Sequence, residues 1–277
     1  MIRTLLHWYA AHAGLVFAVA LVGALAGERL VLVARRRHVN VGDDVTSVVS
    51  GVSFIVAKAA LSKLVMLSLS LAVYERFRLF DLDLANSFVW IGVFLLRDGI
   101  YYGVHRVEHR VRVLWASHLV HHSPEDIGFW TAVRVPWMEA FYKPWLGLWV
   151  PLLGFNPAAF VALDVLAAII GQFQHTTLGR RRTWLDAVFV TPAAHRVHHG
   201  SNAEYLDKNF GAVLIVWDRL FGTYAPEVAP VRYGLVGGYE LRTPADALRG
   251  GYPRLWSAAR SQPGLAARGR YLCAPPA

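Results

Sequence analysis

The chain has 277 residues, of which 55% are apolar and 17% charged, and it carries a formal net charge of +9. With a mean hydropathy of +0.37, this composition excludes a disordered, coiled-coil or collagen-like chain. It is also unusual for a soluble enzyme, because globular proteins average about 25% charged residues. The single cysteine, Cys273, excludes an intramolecular disulfide, a four-cysteine zinc site and an all-cysteine iron–sulfur cluster. Any metal must therefore be held by nitrogen or oxygen ligands.

The positive charge comes from short basic runs beside apolar stretches, such as Arg35–Arg37 and Arg180–Arg182. These runs are not interleaved with aromatic residues along one helix, and the chain has no zinc-finger, RNA-recognition or Walker pattern. We therefore predict no nucleic-acid partner. Basic runs beside apolar segments instead indicate membrane topology, because cytoplasmic loops of membrane proteins are rich in lysine and arginine.

Three apolar segments in the first part of the chain are long enough to cross a bilayer, which takes about 20 residues. The first runs from about Leu5 to Val33 and contains Ala24-Leu25-Ala26, which would also suit a signal-peptide cleavage site. The basic residues that follow it favour a membrane anchor with its N-terminus outside. The second and third spans, at about 45–73 and 84–104, then return the chain to the cytoplasm.

A fourth apolar segment, at 141–174, is broken by Gly154-Phe155-Asn156-Pro157 and predicts two short helices that enter the membrane and return as a hairpin. The fold class predicted is an all-α integral membrane bundle with about four spanning segments. A histidine-rich helical cap on the cytoplasmic side covers a hydrophobic pocket. The predicted domains are a transmembrane region at 1–83, a histidine-rich domain at 84–224 and a basic cytoplasmic tail at 225–277. The last part of that tail predicts a surface helix and a frayed end.

Nine of the twelve histidines lie between positions 105 and 199. They form His105-Arg-Val-Glu-His109, His118-Leu-Val-His121-His122 and His195-Arg-Val-His198-His199, with His175 standing alone. Positions i, i+3 and i+4 of a helix share a face, so the imidazoles of each group can converge. Clustered buried imidazoles need hydrogen-bond partners when neutral and repel one another when charged, and a metal resolves both problems. Nine ligands suit two ions with four or five each, and imidazole alone does not distinguish iron, copper, zinc and nickel.

The order HxxxH, HxxHH, a single histidine and HxxHH resembles the fatty acid hydroxylase / sterol desaturase superfamily of integral-membrane di-iron oxygenases. The flanking residues agree in four stretches: Asp98 to Arg106, Trp115 to Ser123, Thr191 to Gly200 and Asp207 to Thr223. The resemblance covers about 84–224, roughly half of the chain, and is strongest to bacterial and alkylglycerol monooxygenase-like members.

The resemblance implies two iron ions and O2-dependent hydroxylation or desaturation of a C–H bond of a lipid substrate. The implied metal ligands are His105, His109, His118, His121, His122, His175, His195, His198 and His199. The chain has no dinucleotide-binding fingerprint and too few cysteines for its own iron–sulfur centre. A separate reductase, ferredoxin or cytochrome must therefore supply electrons. The expected location is a bacterial inner membrane, with the histidines facing the cytoplasm.

Three further polar residues are candidates for supporting the chemistry. Asp98 lies two helical turns before His105 and is expected to orient a ligand imidazole, unless it pairs with an arginine on its own helix. Asp164 lies inside the apolar hairpin, where an acid needs a partner, and is a candidate for orienting a ligand or lining the substrate pocket. Asn202 is a candidate for holding a metal through water, with a role in a loop turn as the alternative. Glu108 is expected to face away from the histidine pair on its helix and to pair with Arg110 or Arg112.

Two other classes of protein remain open from the residues. A membrane zinc hydrolase would bind zinc, consume no oxygen and place a carboxylate base near the metal. A non-catalytic protein would store or move metal, or carry electrons on a haem that depends on only a few of the histidines. The sequence does not identify the lipid.

Overall fold

The computed structural model describes residues 2–36, 39–61, 66–179 and 183–276, with side chains described from position 18 onwards. His38, part of the Arg35–Arg37 run and the whole Arg180–Arg182 run therefore lie outside the described residues, as do the side chains of His7 and His12. Within the described residues the chain is helical, and its single β-type pairing is an isolated antiparallel bridge between Phe189 and Leu214.

The chain forms two compact units, Met1–Val41 and Gly42–Ala277. Helix α1 (Ile2–Ala34) belongs to the first unit, and every residue of the candidate site lies in the second unit, on its helices or directly after them. These helices are α2 (Val41–Leu61), α3 (Leu67–Phe77), α4 (Ser87–Arg110), α5 (Arg112–His118), α6 (Phe129–Val133), α7 (Glu139–Leu146), α8 (Trp149–Leu152), α9 (Pro157–Gln174), α10 (Pro192–His198), α11 (Val216–Leu220), α12 (Pro244–Arg249), α13 (Tyr252–Arg260) and α14 (Gly264–Cys273), with a 3-10 turn at Trp184–Ala187.

Among the described residues, α2 and α9 are the two helices long and apolar enough to cross a membrane. Only 22% of the apolar window of each helix is buried inside the protein, whereas the core helix of a soluble protein would be mostly buried. Their apolar side chains therefore face the surroundings, as expected of helices in contact with lipid.

Two of the predicted spans can be compared with the helices. The described part of the predicted span at 45–73 lies in α2, up to Leu61, and in α3, from Leu67, with residues 62–65 outside the described residues. Most of the predicted span at 84–104 lies in α4, which begins at Ser87, buries Arg97 and Asp98 near its middle and is not among the two candidate spans.

The predicted break in the fourth apolar segment is present, between the end of α8 and the start of α9. The Asn156 side chain caps α9 by accepting a hydrogen bond from the Ala158 N–H, and Pro157 occupies the first helical turn. Gly154 precedes them with a φ of +93°, and a Cβ there would lie 2.0 Å from the Phe80 carbonyl oxygen. Only glycine fits this turn, since it has no Cβ and tolerates positive φ.

The C-terminal helices α13 and α14 pack against α5, and α14 has no buried residue, as expected of the predicted surface helix. The Gly251 N–H donates to the Ala116 carbonyl (2.7 Å), and the Arg112 N–H donates to the Ala274 carbonyl (3.0 Å). The Arg112 guanidinium also lies over the Tyr271 ring, 4.3 Å from its centroid. The tail thus supports the helix that carries His118.

Candidate metal centre

The nine predicted histidines come together as two adjacent clusters. In each cluster, one nitrogen of every imidazole lies within 4.8 Å of the corresponding nitrogen of all the others. The five-histidine cluster contains His105, His109, His118, His122 and His198, and the four-histidine cluster contains His121, His175, His195 and His199. All of these residues are buried except His121, which is partly exposed. The clusters adjoin, because the rings of His122 and His199 stack with centroids 4.4 Å apart.

Each HxxHH group supplies ligands to both clusters. In the first group, His118 and His122 belong to the five-histidine cluster and His121 to the other. In the second group the division is reversed. His195 and His199 belong to the four-histidine cluster, and His198 belongs to the five-histidine cluster. The second group lies on α10 and the position after it, where i and i+4 lie nearly one above the other and i+3 is turned to one side. The first group lies at the end of α5 and in the turn that follows, so its division depends on that turn.

Main-chain oxygens orient the rings from behind. The Nδ1 atoms of His105, His175 and His198 lie 2.9, 2.7 and 2.9 Å from the carbonyl oxygens of Phe210, Gly171 and Lys208. The Nδ1 atom of His121 lies 3.2 Å from the Arg134 carbonyl oxygen, and that of His118 lies 2.9 Å from the Glu139 carboxylate. Carbonyl and carboxylate oxygens only accept, so each of these five rings carries its hydrogen on Nδ1.

The remaining nitrogens then face each other as lone pairs. The Nε2 atoms of His105 and His118 are 3.1 Å apart, and those of His121 and His175 are 3.2 Å apart. Both members of each pair have their hydrogen on Nδ1, so neither can donate to the other. Within the described part of the chain, the Nε2 atoms of His109, His122 and His198 also lack a hydrogen-bond partner although they are buried. In the four-histidine cluster, Nε2 of His195 lies 2.8 Å from Nε2 of His175, and no acceptor among the described residues holds the hydrogen of His195 on Nδ1. Converging imidazole nitrogens of this kind fit one cation in each cluster.

The protonation state agrees with a cation site. Burial lowers the pKa of His118 to about 3 and that of His175 to about 4. Burial, together with neighbouring imidazoles, places the pKa well below its usual value for His121, His122, His195, His198 and His199. These imidazoles are therefore neutral near pH 7 and available as ligands. An all-nitrogen set of four or five donors fits a first-row transition metal, iron included.

Glu108 and Glu139 form a charged group behind His118 that the sequence analysis missed. The expectation that Glu108 pairs with Arg110 or Arg112 is wrong: it is buried, accepts a hydrogen bond from the Tyr142 hydroxyl (2.5 Å), and one of its oxygens lies 3.8 Å from Nδ1 of His118. Lys143 contacts Glu139 at 2.5 Å and Glu108 at 3.2 Å. The sequence did contain a signal for this group: Glu139 and Lys143 lie four residues apart in an apolar stretch, where charged side chains are normally paired.

Asp98 does not orient an imidazole, contrary to the sequence prediction. Its buried carboxylate accepts hydrogen bonds from the backbone N–H groups of Val213 (3.0 Å) and Leu214 (3.1 Å) and from the Trp217 indole (3.0 Å). The segment after the last histidine group crosses α4 at this point, and its buried N–H groups need an acceptor. Asp98 therefore fixes this segment to α4.

Asp218 performs a related task closer to the histidines. Its carboxylate accepts hydrogen bonds from the backbone N–H groups of Phe210 and Gly211, both at 2.8 Å. The carbonyl oxygen of Phe210 is the one that faces His105. Asp218 thus holds the Phe210–Gly211 peptide, whose carbonyl oxygen in turn orients the His105 ring.

Asp164 and Asn202 contact no cluster histidine, so the predicted roles in orienting a ligand and in holding a metal do not fit their contacts, while lining of the substrate pocket by Asp164 stays a prediction. Asp164 pairs with Arg97 at 2.8 Å, which meets the need for a partner in an apolar helix. The Asn202 side chain accepts a hydrogen bond from the Arg232 N–H (2.8 Å) and donates to the Pro230 carbonyl (3.2 Å). The alternative of a role in the loop is therefore confirmed for Asn202.

Comparison with known proteins agrees with this geometry. The fatty acid hydroxylase family model matches residues 90–223. The alkylglycerol monooxygenase of Danio rerio is 35% identical over 227 residues, which cover 79% of this chain and 49% of that protein. That of Homo sapiens is 38% identical over 164 residues, covering 59% of this chain and 36% of that protein.

A bacterial relative is also similar. The ornithine lipid hydroxylase OlsE of Rhizobium tropici is 31% identical over 153 residues, covering 54% of this chain and 46% of that protein. The matched part of the chain thus spans about a third to a half of the length of these relatives. No solved structure matches the chain. The matched region contains all nine histidines of the two clusters, and the chain belongs to the fatty acid hydroxylase superfamily.

Proposed function

We propose that this protein is a membrane-bound di-iron oxygenase that uses O2 and externally supplied electrons to hydroxylate a C–H bond of a lipid. The observation that carries the proposal is the pair of buried histidine clusters with converging, unprotonated nitrogens. The names of its relatives support a lipid substrate and monooxygenation, since they are alkylglycerol monooxygenases and an ornithine lipid hydroxylase.

In this proposal each cluster holds one iron, with five imidazoles for one ion and four for the other. The bound irons supply the activation of O2 that attack on an unactivated C–H bond requires, since no side chain can abstract such a hydrogen. The four-histidine cluster has fewer donors and contains the partly exposed His121. It therefore has the greater capacity for an exchangeable ligand.

The residues of the chain hold this arrangement and exclude water from it. Carbonyl oxygens behind the rings fix their rotation, and burial removes competing hydrogen bonds from solvent. In soluble di-iron bundles, carboxylate ligands balance the positive charge of the two metal ions. Here the ligands are neutral imidazoles, so the charge of the metal ions is not balanced by the ligands. The carboxylates of Glu108 and Glu139 lie behind His118 instead.

The same carboxylates favour an oxygenase over a zinc hydrolase. A hydrolase needs a carboxylate base directed at the metal-bound water. Glu139 is occupied by Nδ1 of His118 and by Lys143. Tyr142 and Lys143 both contact Oε1 of Glu108, and its Oε2 lies 3.8 Å from Nδ1 of His118, on the side of the ring that faces away from the cluster. These contacts leave the two carboxylates in structural roles.

The membrane setting is part of the proposal. The exposed apolar faces of α2 and α9 support contact with lipid, which would let a lipid substrate reach the clusters from the bilayer. We propose about four spans in a bacterial inner membrane and a histidine-rich cap on the cytoplasmic side, where a separate reductase, ferredoxin or cytochrome could deliver electrons.

The first test is the metal content of full-length protein purified in detergent from cells grown with iron. We expect close to two irons per chain, and loss of most of both in a His198→Ala/His199→Ala double variant, which removes one ligand from each cluster. A His7→Ala/His12→Ala double variant in α1 is the matched control and should retain its metal.

The second part of this test is catalytic. Iron-loaded protein would be incubated with an alkylglycerol or an ornithine lipid, a chemical reductant and O2, and the products analysed by mass spectrometry. A product heavier by one oxygen atom, absent in the double cluster variant, is expected. Absence of metal from the wild type even after reconstitution with iron would overturn the proposal.

A further inference from the structure

A buried carboxylate lies behind the imidazole of His118, and it is closer than the one behind His109, whose Nδ1 is 3.6 Å from the partly exposed Asp207. The Nδ1 atoms of His105, His121, His175 and His198 face main-chain carbonyl oxygens. That of His118 faces a carboxylate oxygen of Glu139, at 2.9 Å. Both types of oxygen fix the ring, but only the carboxylate brings a negative charge.

The Glu139 carboxylate is itself held in place. It is buried, and its second oxygen accepts from the Lys143 ammonium at 2.5 Å. Lys143 also lies 3.2 Å from Glu108, whose same oxygen accepts from the Tyr142 hydroxyl. Two carboxylates and one ammonium give this group a net negative charge directly behind the five-histidine cluster.

The group is not a third metal site, although Glu108, His118 and Glu139 offer oxygen and nitrogen atoms at ligand spacing. The Lys143 ammonium contacts both carboxylates and already occupies the position of a cation between them. The Nδ1 atom of His118 is committed as a donor to Glu139. The chemistry of the group is therefore directed at His118.

A carboxylate behind a ligand imidazole makes its metal-binding nitrogen more basic and fixes the ring, and loss of such a partner typically costs 10–100-fold in metal affinity. In the four-histidine cluster, the oxygens behind His121 and His175 are both neutral. The two clusters thus differ in charge as well as in the number of ligands.

We propose that Glu139 is a positioning residue that strengthens His118 as a ligand and makes the five-histidine cluster the more tightly binding of two unequal metal sites. This inference rests on the proposed function only in requiring that both clusters bind metal. Its direct consequence is that removing the charge of Glu139 weakens one site and leaves the other unchanged.

The test uses Co2+ as the probe and full-length protein in detergent, with binding followed by calorimetry and by the visible absorption of bound Co2+. A His175→Ala/His195→Ala background leaves two imidazoles in the four-histidine cluster, and a His109→Ala/His122→Ala/His198→Ala background leaves two in the five-histidine cluster. In the first background, Glu139→Gln should weaken Co2+ binding about 10–100-fold and shift the Co2+ absorption bands. In the second background, Glu139→Gln should change neither.

Glu108→Gln is the matched control, because it removes the same charge from the same buried group at a carboxylate that does not accept the His118 hydrogen bond. It should weaken Co2+ binding clearly less than Glu139→Gln and should confirm that substitutions in this group leave the protein folded. Equal losses in both backgrounds, or equal effects of the two glutamine variants, would overturn the proposal. If wild-type protein binds no Co2+, both the proposed metal centre and the role of Glu139 are overturned. Two bound ions with no effect of Glu139→Gln would reject only the role of Glu139.

Discussion

At the level of single residues, the candidate site depends on which ring nitrogen carries the hydrogen. Five of the nine cluster imidazoles have an oxygen acceptor behind Nδ1, and this leaves Nε2 free to face the cluster. Histidines that bind metals typically have their tautomer fixed by such a hydrogen bond from the other ring nitrogen. The same contacts turn the rings before any ion arrives, which lowers the entropy lost on binding.

The neutral imidazoles predict how the stability of metal-free protein depends on pH. Burial lowers the pKa of His118 to about 3 and of His175 to about 4, whereas a histidine in the unfolded chain has a pKa of about 6.5. Between these values the unfolded chain binds more protons than the folded protein. The free energy of unfolding should therefore fall as the pH drops below about 6.5.

Thermal unfolding of metal-free protein in detergent, measured from pH 8 to pH 5, would check this dependence. We expect the midpoint to be nearly constant above about pH 7 and to fall steadily below it, since the unfolded histidines are already neutral at the higher values. The His198→Ala/His199→Ala variant, with two fewer buried imidazoles, should show a shallower fall. A midpoint that rises on acidification would contradict the buried, neutral state of the clusters.

The carboxylates show the limit of reasoning from sequence at this level. Asp98 was predicted to orient a ligand because it lies two turns from His105, but its side chain serves Val213, Leu214 and Trp217. Glu139, which does contact a cluster histidine, is 21 positions from His118. Helical spacing predicts neighbours along one helix, whereas this contact depends on how α7 packs against the turn after α5.

At the level of helices, α2 supports the four-histidine cluster through close contact with residues 133–135. The Ser50 hydroxyl donates to the Val135 carbonyl (2.8 Å), and the neighbouring Arg134 carbonyl is the acceptor for His121. A Cβ added at Gly51 would lie 2.6 Å from the Val133 carbonyl oxygen. A small residue is therefore needed where α2 meets this segment.

Replacing Gly51 tests this contact. Gly51→Ala should lower the thermal midpoint, because the backbone of one partner must shift to make room, although alanine itself favours a helix by about 1 kcal/mol over glycine. Gly103→Ala on α4 is the control, since a Cβ there meets nothing within 4 Å. It should leave the midpoint unchanged or raise it, and equal effects of the two substitutions would argue against tight packing at Gly51.

That the nine histidines come together could be predicted from the sequence, since i, i+3 and i+4 spacing keeps the imidazoles of one group close to one another along a helical turn. Their division between two clusters could not, because it depends on the rotation of α5 and α10 relative to α4 and α9. The break before Pro157 was also predictable, from local turn residues. The docking of α13 and α14 on α5 was missed because it depends on contacts between distant parts of the chain.

At the level of the whole molecule, the proposed orientation can be tested with single cysteines in a Cys273→Ser background. Thr183→Cys lies beyond α9, on the side proposed to be cytoplasmic, and Asp81→Cys lies in the connection before α4, proposed to be periplasmic. Asp81 has an exposed side chain, and Thr183 is exposed as well. In intact cells, a membrane-impermeant maleimide should label position 81 and not position 183.

Disrupting the cells provides the control for this experiment, because both positions should then react. Strong labelling of position 183 in intact cells would reverse the proposed topology and place the histidine clusters on the outer side. The proposed metal centre would be unaffected by that result, but its electron donor would have to come from a different compartment.

The division of each HxxHH group between the clusters has a consequence for how substitutions act. His195 and His199 belong to the four-histidine cluster and His198 to the five-histidine cluster, all within a helix of only seven residues and its first following position. Such a short helix cannot move at one end and stay fixed at the other. A substitution that displaces α10 should therefore damage both clusters at once, whereas a change behind a single ring affects only the cluster to which that ring belongs.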